Sequence, residues 1–247
     1  MLRPPSNLPL HGGGTKLLAS YGRRRGRRLR SGKQALFDGL LPKLEIGTAE
    51  LKNCGTLEQL VSFFPQFHSS KILQFYLEIG FGGGEHLVHQ AMLHPDVGII
   101  GCEPYINGIA GLLKAIDDHA LGNIRIWPQD ARLLIGQLPD AALARVFILY
   151  PDPWPKARHH KRRLISREFL GALARVMQPG AELRLATDDE DYCTWMLEHL
   201  LSHPAFRWTA KSCDDWLKPP ADWISTRYEQ KALAAGRRPT YLRFVRL

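Results

Sequence analysis

The sequence predicts an α/β domain built on a doubly wound, largely parallel sheet. Three observations lead to it. Short apolar runs alternate along the chain with longer segments of helical spacing. A glycine-rich turn, Gly80-Phe81-Gly82-Gly83-Gly84, stands where the first run passes into the first helix. Four acids, Glu78, Glu103, Asp130 and Asp152, stand at or just beyond the ends of successive runs. In open α/β sheets, ligands bind at the carboxyl ends of the strands.

The elements follow in order. Residues 1–33 are rich in Gly, Pro and Arg and predict a basic, disordered arm. Residues 34–247 are expected to form one domain. Its opening stretch, 34–70, is poorly periodic and broken by Pro42, Gly47 and Pro65, which predicts one or two helices laid over the core. Strands are expected at 75–79, 97–102, 124–127, 146–150 and 182–186, with helices at 85–93, 106–118, 131–137 and 165–177 between them. Gln178-Pro179-Gly180 is a stop signal for the last of these helices. A further helix over 190–201 stops before Pro204, and extended segments at 206–209 and 241–245 suit an edge hairpin.

Composition sets the outer limits. Of 247 residues, 45% are hydrophobic and 23% charged, the balance of a globular domain. No apolar run reaches the roughly 18–20 residues that span a bilayer, and the N-terminus lacks the apolar segment of a secretory signal. Cys54, Cys102, Cys193 and Cys213 are widely spaced, which predicts reduced thiols and a cytoplasmic location. Residues 1–37 hold nine Lys or Arg and no acid, leaving 24 basic against 24 acidic residues in the rest. The net charge of +9 is therefore local to the arm. The run Gly22-Arg23-Arg24-Arg25-Gly26-Arg27-Arg28 has no apolar face to enter a membrane, so nucleic acid is the expected partner.

Two motifs carry the chemistry. The first is the turn after the first strand, where Gly80 and Gly82 permit close backbone approach to a ligand. The third position of a dinucleotide fingerprint is Glu85, which disfavours a pyrophosphate at that helix start. Glu103 follows the second strand at the distance of an acid that accepts ribose hydroxyl bonds. A nucleoside without phosphates but with cationic centres, S-adenosylmethionine, suits a site lined by Glu78, Glu103, Asp130 and Asp152. The second motif is Tyr150-Pro151-Asp152-Pro153-Trp154-Pro155-Lys156, followed by Arg158, His159, His160, Lys161, Arg162 and Arg163. Its alternating prolines push Tyr150, Asp152 and Trp154 towards extended backbone and hold a carboxylate beside an indole on a stiff loop.

On these residues the sequence resembles the bacterial tRNA (guanine-N7-)-methyltransferases, which modify the variable-loop guanosine at tRNA position 46. The matching segments are 78–84, Gly101-Cys102-Glu103-Pro104, Gln129-Asp130-Ala131, 150–156, Ala186-Thr187-Asp188 and Thr226-Arg227-Tyr228-Glu229. The likeness runs from about residue 24 to the C-terminus. It implies a seven-stranded, Rossmann-like class I methyltransferase sheet with cofactor at Glu78, Glu103, Asp130 and Asp152. It also implies substrate contacts at Lys156, Asp188, Thr226, Arg227, Tyr228 and Glu229, and an RNA-contact segment over Arg158, His159, His160, Lys161, Arg162 and Arg163. Tyr150 replaces the Phe of many relatives, and Arg227-Tyr228 replaces Lys-Phe, so ring and charge are kept.

N7 of neutral guanine carries an in-plane lone pair and no proton, so methyl transfer to it needs no base. Asp152 is accordingly expected to act by positioning and by stabilising the cationic product, with Trp154 stacking on the extruded base. No metal is expected: His86 and His89 lie one turn apart without a Cys or matched carboxylate. The acids Asp189, Glu190 and Asp191 suit a helix start. Two other functions are open to the sequence. One is a nicotinamide-dependent oxidoreductase with a basic appendage; the other is a non-catalytic RNA-binding protein on a methyltransferase fold.

Overall fold

The computed structural model describes residues 21–22, 24–65 and 74–247. The rest of the expected arm, residues 1–20 and 23, lies outside the described residues.

Among the described residues four short helices come first, α1 (Ser31–Gly39), α2 (Leu41–Leu44), α3 (Thr48–Lys52) and α4 (Leu57–Ser62). The alternating core follows: β1 (Gln74–Ile79), α5 (Glu85–Leu93), β2 (Val97–Cys102), α6 (Ile106–His119), β3 (Ile124–Trp127), α7 (Ala131–Ile135) and β4 (Leu143–Leu149). A 3-10 turn (Ala157–Arg162) leads to α8 (Arg167–Val176), β5 (Met177–Thr187), α9 (Glu190–Leu201) and β6 (Phe206–Trp208). The chain ends with α10 (Asp214–Leu217), α11 (Arg227–Ala234) and β7 (Thr240–Arg246).

Seven strands form one sheet in the order β3-β2-β1-β4-β5-β7-β6. The first five are parallel, while β7 runs antiparallel to both β5 and β6. The strand order reverses between β1 and β4, so a cleft opens at their carboxyl ends.

The period of two along the strands distributes the core to both faces. Phe75, Leu77 and Ile79 of β1 pack with Val146 and Ile148 of β4 against α3, α4, α7, α8 and α9. Tyr76 and Phe147 point the other way, to α1, α2, α5 and α6. Side-chain caps fix the helix starts: Ser166 accepts from Phe169 N, Asp189 from Tyr192 N at 2.8 Å, and Thr226 from Glu229 N.

Differences from the expected elements have local causes. Residues 34–65 hold four short helices, since Pro42 and Gly47 interrupt any longer one. Helix α8 ends at Val176, and Pro179-Gly180 lies inside the long strand β5, where Gly180 takes φ +82°. The pairing of β4 with β5 shifts register there, which lets the strand absorb the proline. Helix α1 begins at Ser31, inside the segment read as arm. Ahead of it, Arg24 O accepts from Ile106 N at 3.0 Å and Gly26 N donates to Asn107 Oδ1 at 2.9 Å, which ties the backbone to the start of α6.

Candidate functional site

A cleft of about 550 Å³ lies at the carboxyl ends of β1 to β4. Its floor is the turn after β1. Gly80, Gly82 and Gly84 have φ of +76°, +56° and +84°, a conformation that only glycine adopts without strain. A Cβ on Gly80 meets no atom within 4 Å, so the cleft is open directly above that backbone.

Glu103 ends the second strand and is buried. One of its oxygens accepts from Gly82 N at 2.8 Å and the other from Tyr105 N at 3.0 Å. Burial pushes its carboxyl above the usual range, and these two donors pull it part of the way back. Glu103 thus holds the glycine turn in shape while facing the cleft. Asp130 caps α7, accepting from Arg132 N at 3.0 Å, and pairs with the Arg132 guanidinium at 2.7 Å.

Asp152, on the proline loop, lines the same cleft as these acids. Its side chain reaches solvent, but the cleft walls remove enough water to raise its carboxyl above the usual range. The extended backbone expected at Tyr150 and Trp154 is corrected by the structure: they take φ of +51° and +47°. Tyr150 N still donates to Ala186 O at 2.7 Å, so the chain must turn sharply at the very end of the sheet. A following proline disfavours right-handed helical backbone without closing the left-handed region. Each such residue costs about 1–3 kcal/mol and persists where surrounding contacts over-determine it. At Trp154 those contacts are Tyr21, His159 and Arg162, whose guanidinium lies 5.0 Å from the indole.

Helix α11 closes the cleft from the far side. Tyr228 lies over Gly82, leaving no room for a Cβ there, and Arg227 lies over Gly83 while pairing with Glu85. Glu229 is buried and accepts from Trp223 Nε1 at 2.8 Å and from the Tyr241 hydroxyl. Asp188 pairs with Arg237 at 2.8 Å.

The structure therefore gathers Gly80, Glu103, Asp130, Asp152, Arg162, Arg227 and Tyr228 around one cleft. It places Glu78 elsewhere: the strand alternation turns this carboxylate to the α5 face, where it is buried against His86 Nδ1 at 2.7 Å. Gly82 lies beneath Tyr228, and Thr226 and Glu229 act within α11 and its packing. In the cationic run, Lys156, Arg158 and Lys161 are exposed, and His159 and His160 are half-buried. Arg163 is buried, donating to Pro153 O at 2.9 Å and pairing with Asp191 between the rings of Tyr192 and Trp195. Sequence reasoning missed Tyr21, Tyr105 and Lys231 on the cleft wall. It also missed α11, although Thr226-x-x-Glu229 is a helix-start signature.

An adenosyl sulfonium ligand fits this cleft. Acids line it, and Glu103 keeps acceptor capacity for hydroxyls. Glu85 and Arg227 together occupy the start of α5, where a pyrophosphate would have to sit. Among the described residues no group of three His, Cys, Asp or Glu side chains is placed to hold a metal ion, and no helix is long and apolar enough to cross a membrane.

Comparison with known proteins agrees with this geometry. Residues 73–242 match the model of the family described as "Putative methyltransferase". A tRNA (guanine-N(7)-)-methyltransferase of Rhodospirillum rubrum is 50% identical over 92% of this chain and 87% of its own length. The protein of that name from a Ruegeria species is 48% identical over 96% of this chain and 91% of its own. Among solved structures, the 16S rRNA methyltransferase KamB shares the fold with a TM-score of 0.52 at 17% identity, over 75% of this chain and 94% of that one. Relatives of this identity along nearly the whole chain leave neither an oxidoreductase nor a bare adaptor as the reading: the chain belongs to the tRNA (guanine-N(7)-)-methyltransferase family.

Proposed function

We propose that this protein transfers the methyl group of S-adenosylmethionine to N7 of a guanine in tRNA, at the variable-loop guanosine 46. The observation that supports the reading is one cleft lined by Glu103, Asp130 and Asp152, the last on a proline loop between two residues of positive φ.

S-adenosylmethionine, when bound, supplies an electrophilic methyl carbon. The methyl would pass to the N7 lone pair, the electron pair of the carbon–sulfur bond would stay on sulfur, and no proton would have to move. The chain's residues therefore need to orient and to stabilise charge. Glu103, which fixes the glycine turn, would accept hydroxyl bonds from the cofactor. Asp152 lines the cleft, and its ionised carboxylate would favour the positive charge that methylation leaves on the base. Trp154, with Arg162 on its face, offers a surface for a base taken out of its stack, which offsets an unstacking cost of a few kcal/mol. Lys156, Arg158 and Lys161 are exposed beside it and suit phosphates. A function on tRNA implies a cytoplasmic location.

The test is nucleoside mass spectrometry of an unmodified tRNA transcript after incubation with enzyme and cofactor. The expected product is 7-methylguanosine within the variable loop. A different methylated nucleoside, or none, overturns the reading.

A further inference from the structure

From Arg24 to Leu44 the described chain carries seven cations and a single acid, Asp38, whose carboxylate accepts from Gln34 at 2.8 Å. Composition alone makes this the end of a loose arm, but the structure makes it a fixed strip. Arg24, Gly26 and Arg27 are bonded through their backbone to Ile106 and Asn107 at the start of α6, the Arg27 carbonyl accepting from Asn107 Nδ2 at 2.7 Å. Helix α1 then lies along α6, with Leu36 and Phe37 turned into the core. Between the two helices runs an open groove of about 750 Å³, lined by Arg30, Lys33, Lys43 and Lys114, with Asp117 at its edge. Lys114 is held by Asp118 at 2.8 Å. Among the described residues Arg30, Lys33 and Lys43 enter no ion pair with an acid of the protein.

The strip also has a definite origin. At its upstream end Tyr21 packs edge-on against Trp154, with ring centroids 6.3 Å apart, and lies under the Arg162 guanidinium at 4.6 Å. The cationic path thus starts beside the proline loop at the cleft mouth and leads away along α6 to Lys43.

We infer that the Arg30–Lys33–Lys43 groove is a second nucleic-acid contact, seating the phosphate backbone of the RNA whose target base enters the cleft. Cations fixed on a helix and its neighbour suit a polymer that carries charge at regular spacing. Leu36 and Leu40 also line this groove, but with Phe37 they pack against the core and are half-buried, which leaves no bulky apolar face to enter a lipid surface. The inference uses the tRNA reading only for the identity of the RNA.

Filter binding of an unmodified tRNA transcript across a salt series tests it, comparing the full chain with the triple variant Arg30→Glu/Lys33→Glu/Lys43→Glu. Each lost phosphate contact lowers the log–log salt slope by about 0.7–0.9, so the slope should flatten by about 2–3 and affinity should fall at least about tenfold. The neutral variant Arg30→Gln/Lys43→Gln, which introduces no repulsion, should shift both in the same direction by less. Calorimetric affinity for S-adenosylhomocysteine should match the wild type in both variants, which shows that the cleft is intact. Unchanged tRNA affinity and slope in both variants overturn the inference. So does loss of binding to mixed phosphatidylcholine–phosphatidylserine vesicles with tRNA binding unaffected, which assigns the groove to a membrane surface. If instead wild-type enzyme yields no 7-methylguanosine while the variants still lose tRNA, the groove stands and the proposed reaction falls.

Discussion

Trp223 Nε1 donates to Glu229 Oε2 at 2.8 Å, and the same indole packs on His86, which holds Glu78 at 2.7 Å. One ring therefore lies between two buried carboxylates, one on the strand that carries the glycine turn and one on the helix that covers it. Asp222, the preceding residue, secures this ring's loop to the sheet through Arg184 at 2.7 Å and to α5 through Gln90, which donates to its carbonyl. Glu78 and Glu229 bear on the cleft through this packing: they set where Gly82 and Tyr228 meet.

Trp223→Phe should keep the ring contacts but leave a buried Glu229 oxygen without its donor. The expected loss of stability is about 1–3 kcal/mol, the cost of a buried acceptor left unpaired, measured by denaturant unfolding. Turnover should fall further than cofactor affinity does, because α11 carries Tyr228 and Arg227 to the cleft. Wild-type stability in this variant would show that the hydrogen bond plays no part.

Arg163 should prove to be a loop anchor. Arg163→Lys keeps the charge but cannot reproduce the fork that spans Pro153 O and Asp191. The expected outcome is a fall in single-turnover methylation at saturating tRNA, with tRNA affinity nearly preserved. Lys161→Gln should show the opposite split, weakening tRNA binding with little effect on that rate. Equal behaviour of the two variants would return Arg163 to the RNA surface.

Much of this was legible in the sequence, for identifiable reasons. Continuous apolar runs such as Val146-Phe147-Ile148-Leu149 have one stable place, the middle of a parallel sheet, and β4 lies there buried on both faces. The glycine turn and the acids Glu103, Asp130 and Asp152 follow from strand ends, which topology brings together. What the sequence did not disclose depends on side-chain direction and on distant partners. The alternation along β1 turns Glu78 away from the cleft, and its buried partner is His86 in the first turn of α5. Nothing local to Tyr150 or Trp154 announces left-handed backbone, because the requirement comes from Ala186 and Arg162. The place of Tyr21 on the cleft wall depends on Asn107, more than 80 positions downstream, which ties the adjoining backbone to α6.

Glu103→Gln should weaken S-adenosylhomocysteine binding, because an amide cannot accept from both Gly82 N and Tyr105 N and its NH2 group opposes one of them. A lost charge-assisted bond costs about 1.5–3 kcal/mol, or roughly ten- to hundredfold in dissociation constant. Calorimetric titration measures it. An unchanged constant would remove Glu103 from the cofactor site.

The raised carboxyl of Asp152 sets a pH dependence. A carboxyl pushed above its ordinary range takes up its proton at higher pH than a free aspartate does. Any function of the ionised form is then complete above the raised pKa and is lost as pH falls through it. The kcat/KM profile for tRNA should bend down on the acid side above the usual aspartate range, and Asp152→Asn should lack that bend at a lower plateau. The same bend in both proteins would assign the titration to another group.

Asp152 is the residue proposed to place the accepting base. The most direct measurement is the single-turnover rate of 7-methylguanosine formation by Asp152→Ala, with tRNA and cofactor both saturating and the melting temperature shown to match the wild type. The expected rate is reduced by at least about a hundredfold, the scale on which removing one charge-stabilising group acts. A rate within a few-fold of wild type would contradict it and move the reacting centre away from the proline loop.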